Sequence, residues 1–200
     1  MLRVGLTGGL ASGKSFVGRA LAELGCHLIQ ADELGRQAME PGGEAYEAVV
    51  AEFGPDVVKP DGTLDRRKLA AMVFDNGDRL ARLNALVHPV VIRREEEILA
   101  ELAERDPHGI AVVEAAILIE NGSYRRFDRI VLAWCRPEQQ VERAMERGLT
   151  REEALARLKQ QMPLDEKRKY AHYVIDTSGS REDTLRQVRQ LYRMLREIAS

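Results

Sequence analysis

The stretch that decides the fold is Gly8-Gly9-Leu10-Ala11-Ser12-Gly13-Lys14-Ser15, near the start of the 200-residue chain. It follows an apolar run, Arg3–Thr7, that predicts a β-strand, and it opens a helical pattern over Lys14–Leu24. A glycine, four residues and then Gly-Lys-Ser form the pattern of a phosphate-binding loop. The strand before it and the helix after it argue against a chance glycine-rich turn. The sequence therefore predicts a site for a nucleoside triphosphate.

The residue types of this loop suit that task. Glycines at 8 and 13 permit unusual backbone angles and let N–H groups approach phosphates. Successive N–H groups form a nest for an anion, which the helix N-terminus completes. We expect Lys14 to reach the β- and γ-phosphates and the Ser15 hydroxyl to bind Mg²⁺. The predicted nucleotide contacts within the motif are Gly8, Gly9, Ala11, Ser12, Gly13, Lys14 and Ser15.

The rest of the chain alternates apolar runs with helical patterns, which is typical of a parallel α/β sheet. Further strands are predicted over His27–Ala31, Ile110–Glu114, Arg129–Cys135 and Tyr173–Asp176, and a closing helix over Glu182–Ile198. The long stretch between the second and third strands has helical patterns only. Because a crossover between parallel strands needs a single helix, this stretch is an insert. Its predicted helices are Ala45–Phe53, Arg66–Phe74, Arg79–Val87 and Val90–Ala103.

A second helical stretch lies between the fourth and fifth strands. Pro137–Arg147 has a helical pattern, and Thr150-Arg151-Glu152-Glu153 predicts a capping box that starts a helix ending at Gln161. Arg143 and Arg147 are four residues apart and would share a helix face. They would either close over a nucleotide or belong to a solvated face.

Composition restricts the class of protein. Hydrophobic residues make up 44% and charged residues 31%, which excludes a disordered or fibrous chain. The 30 basic and 32 acidic residues give a formal charge of −2, which argues against non-specific nucleic-acid binding. No apolar run is long enough to span a bilayer, and the N-terminus lacks a signal-peptide pattern, so we expect a cytoplasmic protein. Cys26 and Cys135 lie in apolar runs and are expected to be buried free thiols.

Three other residues are candidates for chemistry, each with an alternative. Asp32 follows the second strand, and ligands of parallel sheets collect at the carboxyl ends of strands. It would accept a proton from an attacking hydroxyl or act as the N-cap of a helix over 33–39. Glu114 ends the third strand and would hold Mg²⁺ through water or be a solvated acid. His88, before Pro89, lies between two predicted helices, where a structural role is favoured.

The motifs that mark most GTPases and transporter ATPases are absent, so a small-molecule kinase is the class that the residues favour. A nucleoside monophosphate kinase and a non-catalytic nucleotide switch remain as alternatives. Several further motifs, in chain order, resemble the dephospho-coenzyme A kinase family. They are Ile29-Gln30-Ala31-Asp32, Gly62-Thr63-Leu64-Asp65-Arg66, Leu83-Asn84 with Val87-His88-Pro89, Arg143 with Arg147, Gln161-Met162-Pro163, and Val174-Ile175-Asp176 with Gly179.

The resemblance covers almost the whole chain and implies ATP-dependent phosphorylation of the ribose 3′-hydroxyl of dephospho-CoA, with Mg²⁺. It implies catalytic roles for Asp32 as the base and for Lys14, Arg143 and Arg147. Arg66 and His88 match acceptor positions, and Asp32 and Glu114 complete the expected substrate-binding set. Ala11 and Phe16, both expected nucleotide contacts, stand where the family usually has Gly and Thr.

The implied fold is an α/β P-loop kinase of three layers, with a five-stranded parallel sheet, a helical acceptor-binding insert and a small helical lid. The expected core comprises residues 1–36, 106–136 and 170–200, the insert residues 37–105, and the lid residues 137–169. The expected partner is the small molecule dephospho-CoA, with no nucleic acid or membrane. The sequence does not determine the oligomeric state, although a monomer is slightly favoured.

Overall fold

Five parallel strands form a single sheet with the order β2-β3-β1-β4-β5. The computed structural model describes residues 1–74 and 76–200. The strands are β1 (Leu2–Gly8), β2 (His27–Gln30), β3 (Ile110–Glu114), β4 (Arg129–Trp134) and β5 (Tyr173–Asp176). The predicted α/β fold with a five-stranded parallel sheet is therefore confirmed. All carboxyl ends of the strands lie at one edge of the sheet, where ligands of such folds bind.

Most of the described helices follow predicted helical patterns. They are α1 (Lys14–Glu23), α2 (Ala31–Ala38), α3 (Tyr46–Phe53), α4 (Arg66–Phe74), α5 (Gly77–Arg105), α6 (Pro137–Glu146), α7 (Arg151–Lys159), α8 (Leu164–Lys167) and α9 (Arg181–Ala199). The predicted capping box at the start of α7 is present, with Thr150 and Glu153 bonded reciprocally. None of these helices is long and apolar enough to cross a membrane.

The chain divides into two compact units. The first comprises Met1–Gln30 and Glu101–Ser200, and its main core packs α1 and α9 onto the sheet through residues such as Val17, Leu21 and Leu191. The second is Ala31–Ala100, which has its own core. Residues 137–169 belong to the first unit, and their action as a lid stays a prediction.

Two local expectations were wrong. The helices predicted over Arg79–Val87 and Val90–Ala103 form one helix, α5, with Pro89 inside it. A proline inside a helix costs about 3 kcal/mol. The buried residues on either side of it, Val87 and Val91, supply apolar burial that offsets this cost. His88 therefore lies within a helix rather than between two.

The second error concerns Asp32. Helix α2 begins at Ala31, directly after β2, so Asp32 lies in the first turn and does not occupy the N-cap position. The strand ends at Gln30, one residue earlier than predicted. The helix begins at Ala31, two residues earlier than the predicted start at residue 33. The N-cap alternative for Asp32 is therefore wrong.

Both cysteines are free and buried, as expected. Burial raises the pKa of Cys26 to about 12, although Arg196 opposes the shift. Neither thiol is placed to act as a thiolate at neutral pH.

Candidate active site

The predicted phosphate loop joins the end of β1 to the start of α1. Gly13 is the N-cap of α1 and has a left-handed backbone, with φ +85°. A Cβ atom on Gly13 would lie 3.0 Å from the side chain of Thr177. Both the backbone angle and the available space therefore require glycine. The loop leads directly into a helix N-terminus, which is the arrangement that binds anions.

Ala11 has an unusual backbone for a residue with a side chain. Its φ of +53° is positive, and that conformation costs roughly 1–2 kcal/mol. The Ala11 methyl group is buried in an apolar cluster with Val141, Ala144 and Ala154. Packing against α6 and α7 thus holds the loop in a conformation that alanine alone would disfavour.

Lys14, Ser15 and Glu114 meet at the base of the loop. Lys14 Nζ lies 2.7 Å from Glu114 Oε1, and the Ser15 hydroxyl donates to the same oxygen at 2.5 Å. Lys14 is 9% exposed and Glu114 only 3% exposed. The alternative that Glu114 is a solvated acid is therefore wrong, because its carboxylate is enclosed by the residues expected to bind the nucleotide.

The sheet register explains how Glu114 reaches this place. Glu114 is the last residue of β3 and pairs in register with Leu6 of β1 and Gln30 of β2. Gln30 Nε2 donates to Glu114 Oε2 at 3.3 Å. On α1, Gly18 leaves room for the carboxylate, because a Cβ there would lie 3.0 Å from Glu114 Oε2.

The surroundings of Glu114 keep it ionised. Burial raises the pKa of its carboxyl, but the Lys14 charge and the hydrogen bonds from Lys14, Ser15 and Gln30 lower it by more. The net pKa lies below the ordinary value of 4.5. At neutral pH a buried carboxylate therefore lies beside Lys14 at the base of the loop.

Two glutamines hold the tip of the loop. Gln140 of α6 donates through Nε2 to the carbonyl of Leu10 at 2.7 Å, and the N–H of Leu10 donates to Gln161 Oε1 at 2.9 Å. Both polar groups of one loop residue are thus bound by side chains of the predicted lid. Neither glutamine was predicted to act on the loop, although Gln161 lies in the Gln161-Met162-Pro163 motif that contributes to the family resemblance.

The two predicted lid arginines, Arg143 and Arg147, have different environments. Arg143 donates through Nη2 to the carbonyl of Thr177 at 2.6 Å and through Nη1 to the Thr177 hydroxyl at 3.2 Å. Thr177 in turn donates to the carbonyl of Ser12 at 2.7 Å, so Arg143 is connected to the loop. The solvated-face alternative is therefore wrong for Arg143. Arg147 is the C-cap of α6 and is exposed.

Sequence reasoning missed a buried cation beside the loop. Lys167, the last residue of α8, is 0% exposed, and its Nζ donates to the carbonyls of Gly8 and Ala116. The surrounding sequence, Asp165-Glu166-Lys167-Arg168-Lys169, has the pattern of a solvated charged run. The available signal was spacing: Lys167 lies three residues after Leu164, on the same face of the short helix, and Leu164 is buried.

Of the four expected acceptor residues, Asp32, Arg66 and His88 belong to the second unit, whereas Glu114 lies in the first unit at the base of the phosphate loop. Asp32 is exposed in the first turn of α2, and Arg66 is exposed at the start of α4. His88 is half-buried in α5, and burial lowers its pKa below the ordinary value of 6.5. A neutral imidazole is therefore the form of His88 present at neutral pH.

Arg66 lines a cavity of about 760 Å³ in the second unit. Lys59 and Arg67 add two more cations to its wall, and Glu40 and Asp65 add carboxylates. A cavity with several cations suits a ligand that contains phosphates. The arrangement in the first unit, with loop amides, a buried lysine and a serine hydroxyl, suits a polyphosphate.

Three comparisons identify proteins that are similar to this chain. A family model described as dephospho-CoA kinase matches residues 2–183. The dephospho-CoA kinase of Geobacter metallireducens is 45% identical over 194 residues, which is 96% of each chain. A solved structure of TT1252 from Thermus thermophilus has a TM-score of 0.81 at 36% identity and covers 96% of this chain and 97% of that one. The dephospho-CoA kinase from Campylobacter jejuni has a TM-score of 0.73 at 24% identity, with 99% and 98% covered.

Proposed function

This chain belongs to the dephospho-CoA kinase family and phosphorylates dephospho-CoA with ATP, and we propose that it does so with the residues described above. The loop from Gly8 to Ser15 binds the ATP phosphates. Side chains of the unit Ala31–Ala100 bind the acceptor, whose ribose 3′-hydroxyl is the attacking group. The transferred group is the γ-phosphoryl of ATP.

The single observation that supports this proposal most is the cluster of Lys14, Ser15 and Glu114 at the base of the loop. Phosphoryl transfer depends on fixed charges and donors in a site from which water is excluded. Lys14 is held there, nearly buried, by its contact with Glu114. With ATP bound, its ammonium contacts the β- and γ-phosphates and stabilises the charge that develops on them.

Mg²⁺ fits the residues that are present. The Ser15 hydroxyl and the Glu114 carboxylate are oxygen ligands within one hydrogen bond of each other, and Mg²⁺ prefers such ligands. Ser15 would bind the ion directly and Glu114 through water. When bound, the ion would neutralise phosphate charge. In residues 1–74 and 76–200, no group of three or more His, Cys, Asp or Glu side chains is placed to hold a metal.

Asp32 is the proposed general base. Its carboxylate takes the proton of the ribose hydroxyl while that oxygen forms a bond to the γ-phosphorus. The bond from the γ-phosphorus to the bridging β–γ oxygen breaks, and ADP leaves with the electron pair. Because the transition state is loose, orienting the hydroxyl is as much a part of this role as taking the proton.

The remaining cations have supporting roles in the proposal. Arg143 and Arg147, in the predicted lid of residues 137–169, stabilise the transferring phosphoryl group. Arg66, with its neighbours Lys59 and Arg67, binds phosphates of the acceptor, and His88 contributes to the acceptor site. The two buried free thiols fit a reducing compartment, so we place the enzyme in the cytoplasm.

The test of this function is acceptor dependence. ADP release is measured with ATP, Mg²⁺ and either dephospho-CoA or a panel of nucleoside monophosphates. Turnover with dephospho-CoA alone is expected, because the chain belongs to the family that phosphorylates this acceptor. Turnover with a monophosphate instead would favour a nucleoside monophosphate kinase, and tight ATP binding without acceptor-dependent turnover would favour a nucleotide switch.

A further inference from the structure

Lys167 is a fully buried lysine that the reaction as described does not use. Lysine is almost never buried completely unless its charge is paired. Its relative exposure is 0%, and it lies at the end of the short helix α8, after the predicted lid helices. Burial lowers the pKa of Lys167 although Glu120 raises it, so this position carries an energetic cost. The contacts of Lys167 must therefore explain why a lysine occupies this buried position.

Three described acceptors surround the ammonium group. Nζ lies 3.2 Å from the carbonyl oxygen of Gly8, 2.5 Å from that of Ala116 and 2.8 Å from Glu120 Oε1. A lysine has three N–H donors and no acceptor, so these three groups match its capacity. Gly8 ends β1 and Ala116 lies just beyond β3, so Lys167 joins the ends of two neighbouring strands.

The contact with Gly8 determines the direction of an amide of the phosphate loop. The carbonyl of Gly8 and the N–H of Gly9 belong to one rigid peptide plane and, in a trans peptide, point in opposite directions. Fixing the carbonyl therefore fixes the N–H of Gly9. An anion nest requires its N–H groups to face the phosphates and its carbonyls to face away from them.

Glu120 connects the same cluster to the predicted lid. Besides its ion pair with Lys167, Glu120 Oε1 accepts from the N–H of Met162 at 3.1 Å. Met162 follows Gln161, which binds the N–H of Leu10 in the loop. The ammonium of Lys167 is thus part of a continuous set of contacts that includes the first residue of the loop and the segment that follows α7.

We propose that Lys167 is a positioning residue of the phosphate site, which holds the Gly8 carbonyl away from the phosphates so that the loop amides face them. This inference rests on the proposed role of the loop, which is to bind the phosphates of ATP. It therefore predicts an effect on ATP binding more than on acceptor binding. Lys167 makes no contact with the transferred group in this proposal.

The test compares Lys167→Met with Leu195→Ala, a variant of a fully buried core residue in α9. ATP affinity is measured by calorimetry, kcat and the KM of each substrate by ADP release, and stability by thermal unfolding. Both variants are expected to lose stability. Only Lys167→Met is expected to lose kcat/KM for ATP, on the order of 10²-fold, with the KM for dephospho-CoA little changed. Equal kinetic losses in the two variants would overturn the proposal.

Glu120→Gln separates positioning from simple charge pairing. The amide oxygen still accepts from Lys167, so the Gly8 contact persists and ATP affinity is expected to stay near that of the wild type. A loss as large as that of Lys167→Met would overturn the proposal. If Lys167→Met does not fold, the double variant Lys167→Met with Glu120→Gln removes both charges and is measured in the same way.

Lys14→Ala distinguishes this inference from the function on which it rests. Weaker ATP binding in Lys14→Ala but wild-type binding in Lys167→Met would overturn the role of Lys167 alone. Wild-type binding in both variants would overturn the phosphate-loop assignment as well. Weaker binding in both supports the proposal.

Discussion

Lys14 and Glu114, separated by 100 positions in the sequence, form a 2.7 Å ion pair inside the first unit. The pair joins the residue expected to bind the ATP phosphates to the end of β3. It also places a carboxylate where the Ser15 hydroxyl can reach it. The same ion pair therefore contributes to the stability of the fold and positions Lys14 and Glu114 in the phosphate site.

Glu114→Gln tests this link through pH. At pH 7 the variant is expected to lose about 1–3 kcal/mol of unfolding free energy, because the buried Lys14 charge loses its counter-ion. The lowered pKa of Glu114 makes the native carboxylate stabilising above 4.5, and this contribution disappears as the pH falls through the folded-state pKa. The difference between wild type and variant should therefore shrink in acid.

Urea unfolding at a series of pH values measures that difference. Glu166→Gln is the control, because Glu166 forms an exposed pair with Lys169. Its effect is expected to be small at every pH. A Glu114→Gln deficit that stays constant from pH 7 into acid would contradict the assigned ion pair.

Much of this fold could be predicted, because its strands are short runs rich in apolar residues, of which β1, β3 and β4 are largely buried. The bounds of β3 and β5 agree with the prediction to the residue. The start of α1 at Lys14 was predicted from the loop pattern. The sequence predicts a helix boundary at Pro89 because local preference disfavours proline in a helix, whereas the burial on either side of it favours continuity.

Contacts between distant segments could not be predicted in the same way. Lys167 and the glutamines at 140 and 161 bind carbonyls and N–H groups of the loop, and no sequence pattern marks which polar side chain will meet a given backbone group. The sequence pattern of Glu114 fitted both an acid that holds Mg²⁺ through water and a solvated acid at the end of a strand. Its burial depends on Gln30 and Gly18, which the sheet and α1 bring beside it.

Gly13→Ala is expected to damage the loop through a contact with Thr177. Gly42 has almost the same φ, +84° against +85°, but no atom of the described residues lies within 4 Å of a Cβ there. Gly42→Ala should therefore cost only backbone strain, roughly 1–2 kcal/mol. Gly13→Ala should cost more and also weaken ATP binding, because Thr177 or the loop must move.

The comparison uses urea unfolding for stability and calorimetry for ATP affinity. Equal losses of stability, with unchanged ATP binding in Gly13→Ala, would show that Thr177 does not constrain the loop.

Asp32→Asn tests the proposed base. General-base catalysis contributes about 10²–10⁴-fold, so kcat should fall by that order while ATP affinity changes little. Glu33→Gln is the matched control, because Glu33 shares the first turn of α2 and its removal costs the same favourable interaction with the helix dipole. That variant should retain kcat. A folded Asp32→Asn enzyme with the kcat of the wild type would remove Asp32 from the chemistry.

Lys14→Ala tests the central claim, phosphoryl transfer at the loop from Gly8 to Ser15, most directly. The measurement is the rate of ADP release with saturating dephospho-CoA, on protein whose circular dichroism spectrum matches that of the wild type. Because a fixed cation at the developing phosphate charge dominates this chemistry, the rate should fall on the order of 10²-fold or more. A folded Lys14→Ala protein that turns over at nearly the wild-type rate would contradict the account.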